Sequence, residues 1–188
     1  SGAAAGMGLG VGAGLGMMEE TEKFLNGILD NGEKLLNPTA FIQSTHNTVG
    51  AHIAVMLGCN HYNLTYVHGP VSLENALLDS LMRMEESPSD KVLLGGIEEM
   101  TEAHFNITDS MGFWKKGGIS NLDLLRDKTP GTLSGEGASF FLLSKEENPN
   151  NYGLIRGLST RFNPEKQSIA VDHIDNFLAT HKLNAAGI

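Results

Sequence analysis

Residues 63–94 read strand, tight turn, helix, strand in immediate succession, and that order restricts the chain to very few arrangements. Residues 63–67 (NLTYV) set Thr, Tyr and Val between a polar cluster and His68-Gly69-Pro70, the profile of a short strand running into a turn. From Ser72 the apolar residues fall at Leu73, Ala76, Leu77, Leu81 and Met84, a helical stripe, and Pro70 and Ser72 suit a first helical turn. The spacing predicts a helix over 72–86 that stops near Ser87-Pro88. Leu73, Leu77, Leu81 and Met84 are expected nearly buried on one face, with Ala76 and Ser80 allowing close approach. Residues 91–94 (KVLL), closed by Gly95-Gly96, have the character of a buried parallel strand. A right-handed βαβ unit of this kind presents the helix N-terminus at the carboxyl end of the sheet, where backbone N–H groups and the helix dipole favour an anion.

Composition narrows the setting. With 188 residues, 40% of them hydrophobic, the chain is long enough for one α/β core, and nothing in it resembles a linker. Cys59 is the single cysteine, so no intrachain disulfide can form; a reducing compartment, and with it a cytoplasmic location, is expected. No run approaches the roughly 20 apolar residues needed to cross a bilayer. The net charge of −9, from 22 acidic and 13 basic residues, argues against nucleic acid as a partner. Lys115-Lys116 is either a local basic patch or an ordinary solvated turn beside Gly117-Gly118, and the turn is the simpler reading.

Gly6, Gly8, Gly10, Gly12, Gly14 and Gly16 recur at every second position, so the third spacing of G-x-G-x-x-G never occurs and no G-K-S/T follows. Residues 1–10 read as a flexible Gly/Ala-rich lead-in without a strand, and order is expected from residue 11 onward in one domain over 11–188. His46, His52, His61, His68, His104, His173 and His181 show no metal-ligand spacing, so neither a metal nor a cofactor is expected. Ser72 is a nucleophile candidate without a G-x-S-x-G elbow, which favours a capping or packing role; Cys59 is a small packing residue. Phe113-Trp114 and Phe140-Phe141 suit core or cleft-lining positions.

Several segments, in order, carry a likeness. Gly14-Leu15-Gly16 precedes a Glu-rich helix start at Met18. Asn37-Pro38-Thr39-Ala40-Phe41 is followed by Asn47 and an apolar helix over 49–57. His68-Gly69-Pro70-Val71-Ser72 leads through the long helix to Leu93-Leu94-Gly95-Gly96-Ile97-Glu98. Ser134-Gly135-Glu136-Gly137-Ala138 runs into Ser139-Phe140-Phe141. This set resembles the N-terminal half of the β-ketoacyl synthases of the thiolase-like superfamily, over about residues 11 to 160. The resemblance implies a layered α-β-α fold with a mainly parallel sheet from residues 11–13, 63–67 and 91–94 and an antiparallel edge strand over 139–144. The family's first strand is expected to be missing. The family's catalytic histidines and oxyanion loop belong to its C-terminal half, so a longer parent protein is expected.

In that family the active cysteine sits at the elbow, and Pro70 lies over its place. No catalytic residue is therefore expected; Pro70 marks a vestigial nucleophile position, and His68, Gly69, Val71, Ser72 and Phe113 are candidates for a substrate cleft. The resemblance is strongest to chain-length-factor subunits, which lack the cysteine and pair with an active ketosynthase in fatty acid, polyketide or aryl-polyene pathways. Asn63, Leu64, Thr65, Tyr66 and Val67 are then the expected dimer edge, in a homodimer or heterodimer, with acyl carrier protein docking mainly on the partner because this chain is acidic. Two other readings stand beside this one: a thiolase-fold acyltransferase or malonyl-thioester decarboxylase using groups of the second half, and a scaffold without acyl ligand. Enzyme status is left open.

Overall fold

The computed structural model describes residues 6–87, 90–124, 126–162 and 167–183. The central strand β1 (Met7–Gly12) is followed by helices α1 (Met18–Asp30), α2 (Pro38–Ser44) and α3 (Thr48–Leu57), then strand β2 (Asn63–Tyr66). A 3-10 turn (Gly69–Val71) leads into α4 (Ser72–Glu86), β3 (Lys91–Glu98), α5 (Glu102–Ser110) and β4 (Gly137–Leu143). The sheet order is β2-β1-β3-β4; β1 runs parallel to both neighbours, and β4 is an antiparallel edge on β3. This is the expected α/β architecture, with β2 at the opposite edge.

All four strands differ from the expected bounds, β2 and β4 by one or two residues at an end and β1 and β3 by more. The first strand begins at Met7, inside the segment expected to be a flexible lead-in; residues 1–5 lie outside the described residues. The alternation that excluded a phosphate loop is instead a strand with one bare face. Leu9 and Val11 point into a core with Ala54 and Cys59, and the intervening glycines face α4. A Cβ at Gly10 would sit 3.0 Å from the Ser80 hydroxyl, and one at Gly12 would sit 2.5 Å from the backbone nitrogen of Leu73. Only glycine lets the helix lie this close to the strand. Residues 95–96 do not close β3 as expected but continue it to Glu98. At Gly95 the missing side chain makes room for the Phe140 ring across the ladder.

Ala76 and Ser80 allow the close approach expected of them and Met84 is buried as expected, but the leucines of α4 are not. Its buried residues are Ser72, Ala76, Ser80 and Met84, one every four positions, so small side chains rather than leucines meet the glycines of β1. Leu77 and Leu81 flank the contact and are half-buried, and Leu73 is 42% exposed. The other helices start on local signals. Asn37 accepts the Thr39 N–H at 2.9 Å with Pro38 in the first turn of α2, and Thr101 caps α5 through the His104 N–H.

The sequence reading placed residues 11–188 in one domain; by their contacts the residues group into two compact units, divided after Lys145. In the second, helix α6 (Gln167–Thr180) carries His173, whose Nε2 lies 3.0 Å from the Ser159 hydroxyl, and the Phe177 ring packs on His181. Among the described residues no helix is long and apolar enough to cross a membrane.

The bare face of β1 makes a direct prediction. Gly12→Ala forces a methyl into the α4 backbone and is expected to destabilise the fold by about 1–3 kcal/mol. The change reads as a lower urea midpoint at unchanged slope, while Gly6→Ala, with nothing within 4 Å of the new Cβ, leaves the midpoint where it is.

Candidate functional site

The turn between β2 and α4 is built by three residues. Gly69 takes φ +56°, the left-handed region that a side chain disfavours. The Ser72 hydroxyl accepts the His68 N–H at 2.9 Å and donates to the Gly69 carbonyl at 2.7 Å, clipping both sides of the turn together. Pro70 stands between them in the 3-10 turn, two residues ahead of the start of α4 rather than as its first residue. Ser72 is 3% exposed and its hydrogen bonds are committed to the backbone, so it acts as a clip and not as a free nucleophile.

A cleft of about 780 Å³ opens over this elbow at the carboxyl ends of β1 and β3. The glycine segment after β1, the elbow, the Gly95-Gly96-Ile97-Glu98 strand end and the Gly135-Glu136-Gly137-Ala138 segment all contribute to its wall. Motifs far apart in sequence, from Gly12 to Ser139, thus converge on one space. Leu15, Pro70, Leu73, Ile97 and Ala138 are its larger apolar lining residues.

Three acidic residues, Glu74, Glu98 and Glu136, also line this cleft, and none carried a role in the sequence reading; two of them hold backbone N–H groups. Glu98 accepts the Gly14 N–H at 2.5 Å and the Leu15 N–H at 3.3 Å, tying the end of β3 to the loop after β1. Glu136 accepts the Met100 N–H at 3.3 Å. The signal that could have found them was the acid set among glycines at a strand end, where a short backbone leaves N–H groups open to a carboxylate.

Of the residues expected at the cleft, Gly69, Pro70 and Ser72 line it, and His68, Val71 and Phe113 do not. His68 is exposed and its ring stacks on Tyr66 with centroids 6.4 Å apart. The Tyr66 hydroxyl lies 3.2 Å from that of Tyr62, which donates to Asp79, and burial raises the Tyr66 pKa above its ordinary 10.0. Phe113 sits in the loop after α5, edge-on to Trp114, because the Trp114 ring is anchored to α5 by its N–H to the Thr108 hydroxyl at 2.8 Å. Cys59 packs in the core with Leu9 and Val11. Among the described residues no three His, Cys, Asp or Glu side chains are grouped as metal ligands.

Lys115 and Lys116 do not form a free basic patch. Lys115, with a side chain only 4% exposed, pairs with Asp127 at 2.8 Å, and Lys116 pairs with Asp109 at 2.5 Å. The Lys115 ammonium, with the Thr129 hydroxyl and N–H, holds the Asp127 carboxyl down at about 2.

Two outcomes follow from this geometry. Ser72→Ala removes both clip bonds from a buried site and is expected to cost about 1–3 kcal/mol in urea unfolding. Asp127, titrated by carboxyl NMR, should change protonation near pH 2, and Lys115→Met should return it toward 3.8. Because the native value is depressed, the pair stabilises the fold fully above the ordinary carboxylate range and ceases to do so as pH falls through about 2.

No family model and no curated protein matches the chain. Solved structures do. The ishigamide ketosynthase/chain length factor superposes with a TM-score of 0.58 at 22% identity, over 78% of this chain and 37% of that one. A beta-ketoacyl synthase from Burkholderia phymatum STM815 gives 0.64 at 16% identity, over 78% and 37%. A ketosynthase in complex with its chain length factor, from Xenorhabdus doucetiae, gives 0.54 at 20%, over 74% and 50%. The chain spans 37–50% of the length of these structures. At such identities the likeness is one of fold, and the four-stranded, mostly parallel sheet with its antiparallel edge is the fold of a ketosynthase's amino-terminal half.

Proposed function

We propose that the protein carrying this chain is a ketosynthase-like subunit that does not itself condense acyl groups and that partners an active ketosynthase, as a chain length factor does. The observation that carries the reading is Pro70 at the elbow. Condensation needs a low-pKa thiolate at this helix N-terminus and a backbone N–H to help hold the thioester oxyanion. Proline brings neither group. The absent donor alone is worth about 10²–10³ in rate, and the absent nucleophile more. Nothing nearby substitutes: the Ser72 hydroxyl is spent on the turn, and Cys59 is in the core. No histidine lines the cleft, so a decarboxylase or acyltransferase would draw its proton donors from elsewhere. The elbow meanwhile keeps its shape, and an apolar cleft remains to take part of an acyl chain in a fatty acid or polyketide pathway.

Partnership is supported by β2. It is a sheet edge with its second row of backbone groups unpaired by the sheet, and Leu64 on it is 49% exposed. Beside it α3 leaves Val55 and Met56 more than four-fifths exposed. An unpaired strand next to exposed aliphatic side chains suits a second thiolase-fold subunit, either a homologous ketosynthase or a copy of this one. The acidic net charge leaves docking of an acidic carrier protein mainly to the partner.

The test is co-expression of the full protein with a cysteine-bearing ketosynthase, followed by size exclusion and product analysis. Co-elution and a shift in product chain length are expected, and incubation with acyl thioesters should leave no stoichiometric adduct on Cys59 or Ser72 by mass spectrometry. Condensation by the purified protein alone at the rate of an active ketosynthase would overturn the reading.

A further inference from the structure

The cleft over the elbow has a neighbour. A second cleft of about 540 Å³ opens beside Gly16, Met17 and Val49, and Ile97, Glu98, Glu136, Gly137 and Ala138 line both spaces. The wall between them is therefore the end of β3 and the segment entering β4. Its charged groups are the carboxylates of Glu98 and Glu136, each bonded to backbone N–H groups.

Glu98 stands beside the elbow. The Cβ that Gly14 lacks would lie 2.6 Å from Glu98 Oε1 and 3.0 Å from the Gly69 carbonyl oxygen, so the carboxylate and the turn face each other across a single glycine. The two N–H bonds from Gly14 and Leu15 fix its position. An apolar chain lying along Leu15, Leu73 and Ile97 meets this exposed carboxylate, and passing it would strip away the remaining water, which the two backbone N–H bonds replace only in part.

We infer that Glu98 is a length stop: it sets where a linear acyl chain entering at the elbow ends, and the second cleft is the space it withholds. The inference rests on the proposed reading of the first cleft as an acyl site, and it assigns the measuring function to a residue of the wall rather than to the elbow. Glu98 positions the chain terminus and takes no part in bond making.

The experiment is calorimetric binding of neutral acyl N-acetylcysteamine thioesters of increasing chain length to the full protein. For the native protein, affinity should climb about fourfold per added methylene and then level off. Glu98→Ala should move the levelling point to longer chains, as the second cleft becomes reachable. Because Glu98→Ala also removes the acceptor for the Gly14 N–H, Glu98→Gln serves as the second variant; its amide oxygen keeps that bond while the charge is gone. The same outward movement in both variants, each with a native thermal transition, supports the length stop. A levelling point unchanged in the variants, or affinity that climbs without levelling in the native protein, overturns it and leaves the acyl-site reading intact. Absence of binding at every chain length overturns both.

Discussion

The structure depends on how closely α4 lies against β1. The helix offers Ser72, Ala76 and Ser80, and the strand offers Gly10 and Gly12, so two backbones approach where side chains would ordinarily hold them apart. That contact fixes the height of the helix over the sheet, and hence the place where its first turn meets the ends of β1 and β3. The apolar residues of β1 are left to a single face, Leu9 and Val11 packing with Ala54 and Cys59. Each later feature of the cleft inherits this geometry, including the short reach of Glu98 to the loop after β1.

The elbow separates shape from chemistry. A positive φ at Gly69 and the double hydrogen bond of Ser72 hold the turn, and neither involves the side chain at position 70. A residue at the tip can therefore change without redrawing the backbone, and proline, which tolerates an early helical position, is compatible with what surrounds it. The shape of the turn and the identity of the residue at its tip are thus separable within a span of five residues.

Much of this was legible in the sequence because the βαβ window is locally consistent: β-rich residues, a glycine-proline turn, a periodic helix and an apolar run follow in order. The start of β2 and the bounds of α4 follow from that. The start of β1 did not, because glycine has low strand propensity and six residues of that type alternating with Met7, Leu9 and Val11 looked like low complexity. The alternation itself was period two, and its meaning came only from the helix packed above it. The leucines of α4 misled for the same reason, since hydrophobicity marks a face but not how near the neighbour stands. At the cleft, the glycine motifs were visible while their acids were not assigned, and Phe113 was drawn away by Trp114, whose anchor on Thr108 has no sequence signature.

Pro70 has an effect that does not concern the folded state at all. A proline removes conformations from the unfolded chain, and where the native turn accepts its fixed φ this stabilises a protein by about 0.4–1 kcal/mol. A nucleophile held at a helix N-terminus is ordinarily a site where stability is given up for reactivity. On the proposed reading of this elbow the exchange runs the other way: the proline that takes the place of a nucleophile also stiffens the chain before it folds, so the segment's order does not compete with a chemical task.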